Sequence, residues 1–348
     1  MRRLLLHPMS FALVALGAAA CGGSDPAAPL PPPGRALTVA LRDSAVAGEM
    51  TWVQVTRTSV DTAGIVYASS DTTVATVDST GRLFLAKPGV ATITAKIGTV
   101  TGQYSLTAAT RPDSFRVAFR FSYTPSTAER QVFARAAARW HRVLRQSSAW
   151  TVDLPGGACL PGTVAGAITQ QGLVVYVDRF ADSTVAPSVT GQAGACLVDA
   201  QGRTQVGVIS LRQSFMASVD TMSAAHRFAL ENTVVHELGQ TLGLAGLTVY
   251  GVPRPELDTT RAGDARWTGT HALAAYAGAG GTLSGVPLSA DLSFWRDSVS
   301  GTAGDVMLPT VTTALRIGAL TLGGLVDRSY TAVESRVEPV PAASMVAA

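Results

Sequence analysis

Val234-Val235-His236-Glu237-Leu238-Gly239-Gln240-Thr241-Leu242-Gly243 is the stretch on which the reading of this chain turns. Phe228, Val234, Val235, Leu238 and Leu242 recur at helical spacing, so the pattern predicts a long helix over residues 223–244, with Gly243 as its terminator. Residues four apart share a helix face, and two imidazoles so placed can grip one zinc ion. A glutamate after the first of them is placed to take a proton from metal-bound water. His236 and Glu237 are the residue types this chemistry needs. The second imidazole position is Gln240, a poor zinc ligand.

Around this helix the chain reads as mixed α and β. Phe115 to Phe121 alternates as a strand, and Thr124-Pro125 reads as an N-cap with proline at the first helical position. Phe133, Ala136, Ala137, Trp140, Val143 and Leu144 give residues 129–144 an apolar helical face, and residues 172–177 and 206–211 read as strands. Beyond Tyr330 the Pro/Ala/Val/Ser-rich residues 331–348 read as a loose tail. Residues 36–109 are different. Short β-branched runs at 37–41, 51–55 and 91–95 are separated by turn signals at Asp71, Ser79-Thr80-Gly81 and Lys87-Pro88-Gly89, the pattern of an antiparallel sandwich.

Two resemblances sharpen this division. Gly191-Gln192-Ala193-Gly194-Ala195-Cys196-Leu197, the His236 helix, Trp267-Thr268-Gly269-Thr270-His271-Ala272-Leu273, Gly285-Val286-Pro287-Leu288, Ser293-Phe294-Trp295-Arg296-Asp297-Ser298 and Asp305-Val306-Met307 follow one another as in leishmanolysin-like zinc metallopeptidases. The resemblance implies an α+β zincin-like domain over 111–330, with a methionine turn at Met307. It also implies that the third zinc histidine stands at position 294, where this chain has Phe294. Two of three imidazoles are then replaced. A structural zinc site releases roughly 10–16 kcal/mol, or about 3–4 kcal/mol per ligand, so losing two weakens binding by on the order of 10⁴ or more. The expectation is a vestigial His236, a Glu237 without a metal-bound water to activate, and no zinc cofactor. Of the other histidines, His226 is ten residues and nearly three helical turns from His236, His141 reads as a surface or boundary residue, and His271 is the one candidate for rescuing a metal site. Met307 reads as simple core, and Phe294 as a ring filling the space of the ion.

The first segment resembles the bacterial Ig-like domain, group 2, through Tyr67-Ala68-Ser69-Ser70-Asp71, Val74-Ala75-Thr76-Val77-Asp78, Gly81-Arg82-Leu83 and Lys87-Pro88-Gly89-Val90-Ala91-Thr92-Ile93. That resemblance implies a spacer or adhesive module. Ahead of it, Arg2-Arg3, the apolar run 4–16 and Ala18-Ala19-Ala20 before Cys21 read as a signal peptide over 1–20. Ala18-Ala19-Ala20-Cys21 resembles a lipobox, which makes Cys21 an expected lipidation site. The alternative is a secreted protein with Cys21 free. Residues 21–35 then form a Gly/Ser/Pro tether.

The remaining cysteines, Cys159 and Cys196, read as one disulfide of an oxidising compartment, against two buried thiols. Without Arg2 and Arg3, Lys plus Arg falls from 27 to 25 against 24 acids, a surplus of +1. No basic stripe remains, so nucleic acid is not an expected partner. The expectation is a multidomain envelope lipoprotein on the outer membrane or cell surface, anchored through Cys21. It would bind protein or peptide and be without catalysis. The alternatives are a zinc endopeptidase with an unusual ligand set, and an adhesin or surface scaffold.

Overall fold

Alternation of buried and exposed residues along Gly89–Ile97 sets the first segment's architecture. Ala91, Ile93, Ala95 and Ile97 point inward while the threonines and the lysine between them are more open. A computed structural model of the chain describes residues 36–57, 64–217, 219–244, 248–249, 252–297, 299, 301–309 and 315–339. The expected signal peptide, Cys21 and the tether lie outside the described residues. Gly89–Ile97 sits between Val66–Ser69 and Val100–Ala108 in a three-stranded antiparallel sheet. A second antiparallel sheet runs Leu37–Leu41, Met50–Arg57, Arg82–Leu85, Ala75–Val77. The two enclose one cluster that includes Val39, Val53, Leu83, Leu85, Ile93 and Leu106.

The second segment is organised by Gly172–Phe180, whose run Leu173-Val174-Val175-Tyr176-Val177 is buried on both faces, as a central parallel strand requires. It pairs in parallel with Arg116–Phe121 on one side and Thr204–Arg212 on the other. Gly191–Val198 closes that second edge in antiparallel fashion. Leu173, Val175 and Val177 face a cluster formed with the helices Thr127–Val143 and Ala224–Gly239. Val174 and Tyr176 face the opposite way, onto Leu154, Ile168 and Cys196. Cys159 and Cys196 are joined by a disulfide, with Cα atoms 5.3 Å apart. It ties the loop after Trp150–Leu154 to the sheet's antiparallel edge. With 36% strand and 22% helix, the protein is mixed and sheet-rich, compatible with an α+β multidomain class.

Three local expectations need correction. The first long helix is capped by Ser126, not Thr124. Ser126 Oγ accepts from the Glu129 N–H at 3.2 Å and Glu129 Oε2 accepts from the Ser126 N–H at 2.7 Å. This reciprocal box satisfies two orphan donors at once, which leaves Pro125 outside the helix. The chain beyond Tyr330 is not loose over its described part. Thr331–Ala332 pairs with Leu144–Arg145, and Glu338 is buried against Arg139, whose Nε and Nη2 donate to its two oxygens at 2.7 and 2.6 Å. A composition rich in Pro and Ala could not show that one buried carboxylate would hold the segment in place.

His141 is the third correction. It is buried at the boundary between the two segments: its Nδ1 donates to Gly48 O at 2.8 Å and its Nε2 accepts from the Val117 N–H at 2.8 Å. Ion pairs join the same two segments, Arg142–Asp43 at 2.8 Å, Arg336–Glu49 at 2.8 Å and Arg82–Glu231 at 2.8 Å.

Desolvation pushes His141 down to about 4, below its ordinary 6.5. The folded chain therefore keeps the ring neutral while the unfolded chain binds a proton below pH 6.5. Stability from this group is full above pH 6.5 and is lost as the pH falls toward 4. Replacing His141 by Gln, which can keep both a donor and an acceptor, should remove this dependence. Between pH 7 and pH 5 wild type should lose about 2 kcal/mol relative to H141Q in chemical denaturation. Parallel pH profiles for the two proteins would contradict the assignment.

Candidate functional site

The Ala224–Gly239 helix starts at Ser223, whose Oγ accepts from the His226 N–H at 3.3 Å. Its C-terminal end widens into a π turn over Gln240–Leu244 and stops at Gly243, where φ is 96°, a conformation that favours glycine. The widened turn still leaves Gln240 one turn beyond His236 on the same face. Thr241 Oγ1 donates to Glu237 O at 2.8 Å and helps to close that turn.

His236 is 3% exposed and held from three sides. Its Nδ1–H donates to Val306 O at 2.6 Å, which fixes the tautomer and leaves the lone pair on Nε2. That lone pair faces Gln240 Nε2 at 3.0 Å, so the amide N–H donates into the position a metal would take. The Phe294 ring stacks on the imidazole with centroids 5.2 Å apart and planes inclined by 28°. Burial lowers the His236 pKa, although the bond to Val306 works the other way. The ring is therefore a neutral, fully hydrogen-bonded imidazole with an aromatic lid.

The turn at Asp305-Val306-Met307 assembles this arrangement. Met307 O accepts the Trp295 N–H at 2.9 Å, and this pins the segment that carries Phe294. Phe294 is further fixed by Ser289, whose Oγ accepts the Phe294 N–H at 3.1 Å and whose N–H donates to Phe294 O at 3.0 Å. Met307 is 1% exposed and packs beneath the helix at Gly239, where any Cβ would collide with its sulfur. Asp305 Oδ1 accepts the Met307 N–H at 2.9 Å and the Thr321 hydroxyl, and burial pushes the Asp305 carboxyl up to about 6. In the sequence, Asp305 and Val306 stand out only as part of the methionine turn. Their roles, a carboxylate bracing the turn and a carbonyl orienting His236, are backbone-level events with no composition signal.

Among the described residues Glu237 makes no ion pair. It is 4% exposed, lies against the Gly191 backbone, and its Oε2 has no hydrogen-bond partner among the described residues. Desolvation alone pushes its carboxyl up to about 8. That burial favours the neutral acid over the carboxylate. His271, the rescue candidate, is half-exposed on another helix, Thr270–Gly278, and its Nδ1 pairs with Asp327 Oδ1 at 3.0 Å. His226 is exposed beside Ser223. Among the described residues no three His, Cys, Asp or Glu side chains converge as a metal site would require. The donor set around His236, one imidazole, one amide N–H aimed at it and one phenyl ring, does not fit zinc.

The structure thus brings His236, Gln240, Phe294 and Met307 together, and it keeps Glu237 adjacent but buried in an apolar setting. For Glu237 the ionised form is penalised only in the folded chain. Its contribution to stability is full below its ordinary 4.5 and is lost as the pH rises toward about 8. Glu237→Gln should therefore gain stability over wild type by about 1.4 kcal/mol per pH unit across that window. The gap should close near pH 4.5, as read from urea unfolding at stepped pH. A constant gap would mean that Glu237 is ionised in the folded protein. Compared with known proteins, the chain matches no family model and no curated protein.

Proposed function

We propose that this chain is an exported lipoprotein whose second segment is a degenerate, leishmanolysin-like metallopeptidase fold that binds protein or peptide without cleaving it. The observation that carries this reading is the Phe294–His236 stack. The resemblance expects a third zinc imidazole at position 294, and the phenyl ring that stands there lies on His236. Gln240, at the expected second ligand, caps the same imidazole. A random pair of positions so distant in sequence would have no reason to meet, and their meeting supports the correspondence. Further support comes from Met307 packed under the helix, and from the mixed sheet with its antiparallel edge strand and two long helices. The two antiparallel sheets of residues 36–109 support the Ig-like reading of the first segment.

The chemistry left at this centre is recognition. A protonated, buried Glu237 and a capped imidazole have no means of activating water. On this reading the peptidase-like segment would offer a surface for extended polypeptide. The lipid on Cys21 would hold that surface at the envelope, with two or more acyl chains giving stable anchoring at about 0.8 kcal/mol per buried methylene.

Zinc analysis of the purified protein tests the central claim. Wild type should hold far less than one zinc per chain and leave general protein substrates intact. The double change Gln240→His with Phe294→His should acquire zinc, whereas either single change should do little. Close to one zinc per chain in wild type, lost in His236→Ala, would instead establish a working metallopeptidase. For the anchor, Cys21→Ser should move the protein from the membrane to the soluble fraction. Retention in the membrane would rule out lipidation as the tether.

A further inference from the structure

Away from the His236 centre, a cavity of about 500 Å³ lies where the first segment meets the N-terminal halves of the two long helices. One wall is the Asp78–Arg82 turn. The others are successive positions on two helix faces: Ala128, Gln131, Val132 and Arg135 on one, and Ala224, Arg227, Phe228 and Glu231 on the other. The three- and four-residue spacing aligns each set into a single stripe.

The charges in this cavity do not cancel. Its two acids are both engaged by one cation: Arg82 Nε pairs with Asp78 Oδ2 at 2.8 Å, and Arg82 Nη1 pairs with Glu231 Oε1 at 2.8 Å. Asp78 Oδ1 is in addition occupied by the Thr80 N–H and hydroxyl at 2.9 and 2.6 Å. Glu231 also lies 3.9 Å from the Arg139 guanidinium. Two further arginines line the space with no carboxylate of their own among the described residues. Among the described residues Arg135 has no hydrogen-bond or ion-pair partner, and the Arg227 guanidinium donates to a neutral carbonyl, Met222 O, at 2.6 Å. Both are half-buried, so solvent screens them less than it would on an open surface. Phe228, with Arg82 stacked 4.2 Å above its ring, supplies an apolar wall together with Val132 and Ala128.

We propose that this cavity is a binding site for a small organic anion, its oxyanion head held by Arg135 and Arg227 and its apolar body against Phe228. Arginine is suited to the head because its planar fork of donors matches the two oxygens of a carboxylate or phosphate. The volume accommodates a ligand of drug-like size. The Arg82 bridge between Asp78 and Glu231 keeps both carboxylates turned to a cation, and thereby removes the two groups that would repel such a ligand. The site is made from both segments and does not depend on any metal or on the peptidase-like reading.

Isothermal titration of the full chain at low salt tests this with three probes of similar shape: benzoate, phenyl phosphate and the neutral benzamide. At least one anion should bind while benzamide does not, and comparing benzoate with phenyl phosphate shows which head the site takes. With the charge-assisted bonds to the oxyanion lost, Arg135→Gln with Arg227→Gln should weaken binding by about tenfold or more. The exposed Arg261→Gln should bind as wild type does. Circular dichroism and the unfolding midpoint report whether the double variant is folded. If it is not, Arg135→Gln alone, which has no partner to lose, carries the same comparison. The proposal is overturned if neither anion binds, if benzamide binds as well as the anions, or if the folded variants bind as tightly as wild type.

Discussion

Arg139 is the interaction on which the rest of the structure depends. It sits on the first long helix, 3% exposed, and its guanidinium reaches three separate parts of the chain. Nη1 donates to Asn232 Oδ1 at 2.7 Å on the second long helix, Nη2 to Leu315 O at 2.8 Å, and Nε with Nη2 to both oxygens of Glu338. A buried charge is tolerable only when its donors are met, and removing one partner of such a pair costs about 3–5 kcal/mol. Glu338 is held below the usual carboxylate range, because Arg139 and the Ile317 N–H outweigh the burial that would raise it. One cation thereby sets the register between the two helices and closes the chain's last described turn over them.

The His236 centre inherits its geometry from that clamp. With the helices in register, Trp140 Nε1 donates to Val235 O at 3.1 Å, and Met307 fits under Gly239 against the same tryptophan. The methionine turn then presents the Val306 carbonyl to His236 and the Met307 carbonyl to Trp295. Each bond here satisfies a buried polar group, as interiors demand. Among the described residues Asp305 Oδ2 and Glu237 Oε2 are left without a partner here, and burial pushes the Glu237 carboxyl up to about 8. A glutamate poised for catalysis would need a polar mouth or a cation beside it. This one faces the backbone of Gly191.

The same logic extends to the boundary between the two segments. Glu49, 2% exposed, is surrounded by Arg111, Arg145 and Arg336, and burial raises its pKa even though those three arginines pull it down. Together with His141, Asp43–Arg142 and Arg82–Glu231, this makes a polar seam of fixed geometry between the first sheets and the helices. Two segments so joined hold constant whatever cavity lies between them. A spacer swinging on a flexible hinge would not do so.

Much of this was legible in the sequence, and the reason is periodicity. Alternation along residues 37–41 and 91–95, the β-branched run at 172–177 and the apolar stripe of 223–244 each reflect a local rule about which face meets the core, and each element stands where its pattern put it. Cysteine parity likewise pointed to the Cys159–Cys196 pair that the structure contains. What the residues alone left open depended on partners far away along the chain. The Ser126 cap is the exception, a local Ser-x-x-Glu box closed by Glu129 only three residues on. His141 was drawn inward by the Gly48 carbonyl, and residues 331–338 were ordered by Arg139. The protonation of Glu237 and the stacking of Phe294 on His236 belong to the same class. Residue identity supplies the groups, but desolvation and ring contact exist only once the tertiary packing has removed the water between them.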